Sequence, residues 1–201
     1  EVDLSIPHGD AVAVLGASGC GKSTLLGLLA GLDQPTGGRV LLEGHDLSRL
    51  DEDARAELRA GRVGFVFQAF HLLAGMTAVE NVMLPGELAG QPDVRRQAQA
   101  ALARVGLAER ARHYPAQLSG GEQQRVAMAR AFMGQPRVLF ADEPTGNLDR
   151  HTGAHIIDAL FELNREYRTT LVLVTHDPEL ARRCRRIIHV DAEGLREERP
   201  A

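Results

Sequence analysis

Short apolar blocks alternate along this chain with longer stretches in which apolar positions return every three or four residues. Ala11–Leu15, Arg39–Leu42, Val63–Phe67, Val138–Ala141, Thr170–Val174 and Ile187–Val190 are brief and rich in Val, Leu and Ile. Runs of that kind, with no polar face, read as strands covered on both sides. Between them Ser23–Ala30, Asp51–Ala60, Gly121–Met133, Gly153–Asn164 and Pro178–Arg183 read as helices. Thr77–Leu107 reads as helical, with Val94, Ala98, Ala101, Leu102 and Val105 on one face. Strands alternating with helices predict an α/β fold built on a mostly parallel sheet. The stretch from about 69 to 117 carries little strand signal and is expected to be a helical lobe. It would project from a core made of 1–68 and 118–201, the whole 1–201 forming a single domain.

Composition narrows the classes. Apolar residues make up 44% and charged residues 25%, which excludes a disordered or fibrous chain. Lys and Arg number 23 against 27 Asp and Glu, a net charge of −4, so nothing global draws the chain to nucleic acid or anionic lipid. Cys20 and Cys184 are far apart and outside any CxxC pattern, which argues against disulfides and zinc and for a reducing compartment. No apolar run approaches the roughly 18 residues of a membrane-spanning helix. The opening Glu1-Val2-Asp3 has no basic and apolar leader pattern. A membrane role is therefore expected to come through a partner.

Two sites carry chemistry. Gly16-Ala17-Ser18-Gly19-Cys20-Gly21-Lys22-Ser23 fits G-x-x-x-x-G-K-[ST] between a predicted strand and a predicted helix. Its glycines let backbone N–H groups surround phosphate oxygens, and the helix start adds partial positive charge. Lys22 would reach the β- and γ-phosphates and the Ser23 hydroxyl would ligate Mg²⁺, with nucleotide contacts running on through Thr24. Val138–Ala141 ends in Asp142 and Glu143. A strand closing in solvated acids is the plain reading. Beside a phosphate loop, Asp142 is placed to hold Mg²⁺ and Glu143 to act as base for an attacking water.

Leu118-Ser119-Gly120-Gly121-Glu122-Gln123-Gln124-Arg125 resembles the signature motif of ABC-type ATPases. Gln68 matches the family's Q-loop, Gly146-Asn147-Leu148-Asp149 its D-loop and His176 its H-loop. These follow one another in the family's order with the phosphate loop and the paired acids, from residue 16 to residue 176. Phe67-Gln68-Ala69-Phe70-His71-Leu72-Leu73, Glu80-Asn81-Val82 and Asp142-Glu143-Pro144-Thr145-Gly146-Asn147-Leu148-Asp149 are similar to the MacB, LolD and FtsE group. Gln117–Arg130, Phe140–Arg150 and Leu163–Asp177 point to its YbbA-like branch.

The resemblance implies a P-loop NTPase core with an inserted helical subdomain and a partial antiparallel β portion. It implies ATP hydrolysis with Mg²⁺, held by Ser23, Gln68 and Asp142, and catalysis through Glu143, His176 and Gln68. In the family two subunits form a homodimer with ATP at the interface. Ser119, Gly120 and Gly121 of one chain then cover the ATP held by the other chain's Lys22 and Ser23, and Asp149 communicates across the interface. On its own, Ser119 followed by two glycines reads as an ordinary helix cap. The implied partner is an integral-membrane permease of YbbP or MacB kind, which places the chain at the cytoplasmic side of the bacterial inner membrane. No nucleic acid is expected. Two alternatives stay open: mechanical regulation of an envelope enzyme, and a soluble role of the DNA-repair type.

Weaker features have plainer readings. His151 and His155 have metal-ligand spacing but read as a solvated helix face. Arg182, Arg183, Arg185 and Arg186 read as a solvated basic cluster, with headgroup contact as the lesser reading. Phe70, Leu72, Leu73 and Met76 suit either core or a groove for a permease helix. Cys20 is expected to be open to thiol reagents. The first aromatic residue is Phe65. By the resemblance, the family's adenine-stacking ring and its first strand, against which Val2–Ile6 would pair, are expected to be absent from this chain.

Overall fold

Strands and helices alternate through most of the chain. In order they are β1 (Ala11–Leu15), α1 (Lys22–Leu29), β2 (Leu41–Leu42), β3 (His45–Asp46), α2 (Glu52–Arg59), β4 (Val63–Phe67), α3 (Ala78–Leu88) and α4 (Val94–Arg104). Then come α5 (Gly120–Ala131), β5 (Val138–Asp142), α6 (Arg150–Tyr167), β6 (Thr170–Thr175), α7 (Pro178–Ala181), β7 (Arg186–Asp191) and β8 (Gly194–Glu198). The structure is a computed structural model that describes residues 2–191 and 194–198. Six strands form one sheet in the order β4–β5–β6–β1–β7–β8. All neighbours in it are parallel except β7 and β8, and β2 pairs antiparallel with β3 in a separate ribbon. The fold is mixed α/β with a mainly parallel sheet and a small antiparallel part.

The central strands are apolar throughout because both faces are covered. Leu139, Ala141, Leu171 and Leu173 face one core with Val126, Met128, Ile156 and Leu160 from α5 and α6. Val138, Phe140, Val172 and Val174 alternate with them and face a second core with Leu26, Ala30, Leu47 and Leu58. This is the period of two that a strand imposes on its side chains.

Differences from the sequence pattern have local causes. The helical stretch over 77–107 is two helices, because Gly90 takes a left-handed φ of 63° and Pro92 follows. α6 starts at Arg150 because Asp149 caps it, and it runs on to a left-handed Arg168. β2 keeps only the last two residues of the expected Arg39–Leu42 strand. β8 reads Gly-Leu-Arg-Glu-Glu and is mostly exposed, so it offers no apolar alternation to detect. Val2–Ile6 forms no strand; Ile6 packs on the second core, and the Ser5 carbonyl accepts from Arg186 at 2.8 Å.

Candidate active site

The sheet register brings the motif residues to one rim. Leu15 lies opposite Thr175, Val174 opposite Asp142, and Asp142 opposite Phe67. The next residue of each strand is then Gly16, His176, Glu143 and Gln68, so four loops leave the sheet along one edge. Ligands of parallel sheets sit at this carboxyl end. A cleft of about 490 Å³ opens there, lined by Ser18, Gly19, Gly21, Lys22, Ser23, Thr24, Gln68, Asp142, Glu143, Gly146 and His176.

The phosphate loop is shaped by its glycines. Gly19 and Gly21 have φ of 79° and 97°, a conformation that costs other residues strain. Gly16 lies against β7, where a Cβ would come within 2.5 Å of both the Val190 carbonyl and the Cys20 sulfur. Lys22 Nζ donates to the carbonyls of Gly16 and Ala17, both at 2.8 Å, which pins its ammonium to the loop. Cys20 is half-buried and packs on the second core, and neither Cys20 nor Ala17 lines the cleft.

Ser23 Oγ donates to Asp142 Oδ2 at 3.4 Å, joining the two motifs on the cleft floor. Burial pushes the Asp142 carboxyl above its ordinary range, while the Ser23 hydroxyl and the Lys22 charge pull it back. Glu143 has a left-handed φ of 45°, held by its N–H donating to the Val174 carbonyl at 2.9 Å. Such backbone strain concentrates at functional sites. Its Oε1 lies 2.9 Å from His176 Nδ1.

Gln68 is exposed and makes a reciprocal pair with Asn147: Gln68 Nε2 donates to Asn147 Oδ1 at 3.2 Å, and Asn147 Nδ2 to the Gln68 carbonyl at 2.9 Å. A Cβ at Gly146 would come within 2.6 Å of Gln68 Nε2, so glycine there makes room for the amide. Sequence reasoning gave Asn147 no separate role, although it lies in the D-loop motif. It also gave none to Arg130, which donates to the carbonyls of Phe70 and His71 at 2.8 and 2.6 Å. Both of those residues are left-handed. Burial lowers the Arg130 pKa from its ordinary value. Leu72 packs on the first core, whereas Leu73 is 45% exposed.

Ser119, Gly120, Gly121 and Asp149 do not line this cleft. Ser119 caps α5: Glu122 N donates to Ser119 Oγ at 3.3 Å, and Ser119 N donates to Glu122 Oε2 at 2.8 Å. Gly121 packs so closely on Thr152 that a Cβ would meet Thr152 Cγ2 at 2.5 Å. Asp149 caps α6 by accepting from Thr152 N at 2.9 Å. The start of α5 therefore abuts the start of α6, away from the chain's own phosphate loop.

The lesser features are structural. His151 and His155 approach Nε2 to Nε2 at 3.4 Å, and no group of three metal-ligating side chains exists among the described residues. In the arginine cluster Arg182, Arg183 and Arg185 are exposed, as expected of a solvated face, and Arg186 alone is half-buried. Arg186 is tied to Glu197 and Asp10, and Arg183 pairs with Asp158 and stacks on Phe161. Burial pushes the Cys184 thiol up to about 12, which leaves it inert. No helix among the described residues is long and apolar enough to cross a membrane.

The chain is similar to known proteins in sequence and in fold. Residues 1–146 match the protein family described as ABC transporter. The chain is 56% identical to the ABC transporter ATP-binding protein YbbA of Escherichia coli over 199 residues, 98% of this chain and 87% of the relative. It is 51% identical over 203 residues to the lipoprotein-releasing system ATP-binding protein LolD of Xanthomonas campestris, covering all of this chain and 84% of the relative. Among solved structures, a dimeric post-hydrolysis state of the ATP-binding cassette MJ0796 bound to ADP and Pi superposes with a TM-score of 0.91. It is 41% identical and covers all of this chain and 89% of that one. The chain belongs to the ABC transporter family, as an ATP-binding subunit with ATPase activity, in the group that includes YbbA and LolD.

Proposed function

We propose that this ABC transporter ATPase works as a homodimer that drives a membrane permease of the lipoprotein-releasing kind from the cytoplasmic side of the bacterial inner membrane. The observation that carries this reading is the shared rim holding Lys22, Ser23, Gln68, Asp142, Glu143 and His176 around one cleft. The phosphate loop binds the ATP phosphates through backbone N–H groups and Lys22. Ser23 and Asp142 bring two hard oxygen donors together, a set that suits Mg²⁺, with Gln68 on the same cleft. When bound, the ion neutralises phosphate charge.

The hydrolytic step forms a bond from a water oxygen to the γ-phosphorus and breaks the bond to the β,γ-bridging oxygen, leaving ADP and phosphate. Glu143 orients that water and takes its proton. His176 holds Glu143 through Nδ1 and turns Nε2 toward the γ-phosphate. Ser119, Gly120 and Gly121 supply an anion-facing helix start that their own chain leaves outside its cleft, so each covers the nucleotide of a second copy. Asp149, next to that contact, lies where the two copies meet. The residues of about 69–117 form the lobe that faces the permease. The likeness to LolD supports that partner class, and the dimeric MJ0796 structure supports the pairing.

The test uses full-length protein carrying Glu143→Gln. ATP binding is expected to survive while turnover falls by about 10²-fold or more. The variant, extracted with ATP from native membranes, is expected to copurify with an integral-membrane partner bearing a large extracytoplasmic domain. A soluble dimer without a membrane partner would instead favour regulation or repair. Undiminished turnover would remove Glu143 from its role.

A further inference from the structure

Gln124 lies in the interior of α5 with no exposure to solvent, next to the fully buried Val126, Ala127 and Met128. Its Nε2 donates to the carbonyl oxygen of Pro144 at 2.5 Å and to that of Phe67 at 3.4 Å. Its Oε1 has no hydrogen-bond partner among the described residues. A buried amide oxygen without a partner is unfavourable, so packing alone does not account for glutamine here. What the side chain does is join two backbone carbonyls, one at the end of β4 and one in the loop after β5. Phe67 immediately precedes Gln68, and Pro144 immediately follows Glu143.

The same two segments are joined a second time at the cleft by the Gln68–Asn147 pair. The two links differ in permanence. Gln68 and Asn147 are exposed, and hydrogen bonds open to water exchange readily. Gln124 is sealed from water and reaches main-chain atoms, which have no rotamers to change. We infer that Gln124 is a positioning residue for ATP hydrolysis: it fixes the spacing between Gln68 and Glu143 from behind, so Gln68 can leave Asn147 for the nucleotide site while the loops keep register. This rests on the proposed roles of Gln68 and Glu143.

The experiment measures ATP turnover by full-length Gln124→Met, which keeps the side-chain length and removes both donors. Wild type and Glu143→Gln run alongside, so a failure of the site reading shows in those two alone. The variant is expected to bind ATP with wild-type affinity and an unchanged KM, because the phosphate loop is untouched. Its kcat is expected to fall about tenfold to a hundredfold, the size of effect that a misplacement of about 1 Å produces. In a Gln68→Ala background the same substitution is expected to cost much less, since the residue it positions is gone. An equal loss in both backgrounds would mark general loosening and overturn the inference, as would wild-type kcat in folded Gln124→Met. Should that variant not fold, hydrogen exchange of the Gln124 side-chain amide in ¹⁵N-labelled wild type decides. Slow exchange with and without ATP supports the link, and fast exchange in either state overturns it.

Discussion

At Asp142 the role proposed in activity is set against stability. It ends a buried strand, and burial raises its carboxyl above the ordinary value of 3.8 despite the Ser23 hydroxyl and the Lys22 charge. A raised carboxyl means that the folded chain prefers the protonated form more than the unfolded chain does. That preference favours the fold fully only below the unfolded value, and it is lost as pH rises through the folded one. At neutral pH the ionised group is retained at a cost. Asp142→Asn removes the charge and keeps an oxygen for Ser23. The variant is expected to melt at or above the wild-type temperature at pH 7, with the gap closing as pH is lowered, while ATP turnover falls by about 10²-fold or more. Thermal melts across pH, paired with a phosphate-release assay, check both halves; a lower melting temperature at pH 7 would contradict the sign. That an apolar strand ends at Asp142 was legible in the sequence. The opposition between its burial and its neighbours was not legible, since it depends on β5 lying between β4 and β6.

At the level of elements, α3 and α5 begin in the same way. Thr77 caps α3 with Glu80 reaching back, and Ser119 caps α5 with Glu122 reaching back. In each, hydrogen bonds from the capping residue hold the glutamate below its ordinary value of 4.5. A depressed carboxylate stabilises the fold above its unfolded value and loses that contribution as pH falls through the folded one. Melting temperature is accordingly expected to decline below about pH 4.5. Thr77→Ala and Ser119→Ala should each cost about 1 kcal/mol, or about 2–4 °C in Tm. Only Ser119→Ala is expected to lose ATP turnover as well, because only that helix start is proposed to cover a nucleotide. Equal turnover in the two variants would return Ser119 to a plain cap.

The capped helices and the buried strands were legible because local sequence alone dictates them: Ser-Gly-Gly-Glu starts a helix, and Val-Leu-Phe-Ala fills a covered strand. β3 and β8 were not, because short, largely exposed strands are set by their neighbours rather than by their own pattern. The links through Gln124 and Arg130 were also hidden. Arg130 reaches 59 and 60 positions back and Gln124 reaches 57 back and 20 forward, and nothing in a helix sequence says which carbonyl a side chain will meet.

For the whole molecule the decisive fact is a separation. Lys22 and Ser23 line the cleft, while Ser119 and Gly120 lie outside it, Gly120 close to Leu148. On the proposed reading one chain presents two half-sites that do not meet, and a second copy related by a twofold axis would complete both. This geometry predicts complementation between two variants that are each inactive. Lys22→Ala loses its own nucleotide but keeps a sound signature; Gly120→Asp keeps its nucleotide but repels the phosphate of a partner. Mixed in equal amounts, half of the dimers are heterodimers. Each heterodimer has one site made entirely of sound halves and one made entirely of damaged halves. If the sites turn over independently, the mixture should recover about a quarter of wild-type turnover, while each variant alone stays near zero. The measurement is phosphate release against mixing ratio, with a maximum expected at equal amounts. If hydrolysis needs both sites at once, the mixture stays silent although the two chains copurify with ATP. A chain that hydrolyses ATP as a monomer fails differently, because Gly120→Asp alone would then keep full activity.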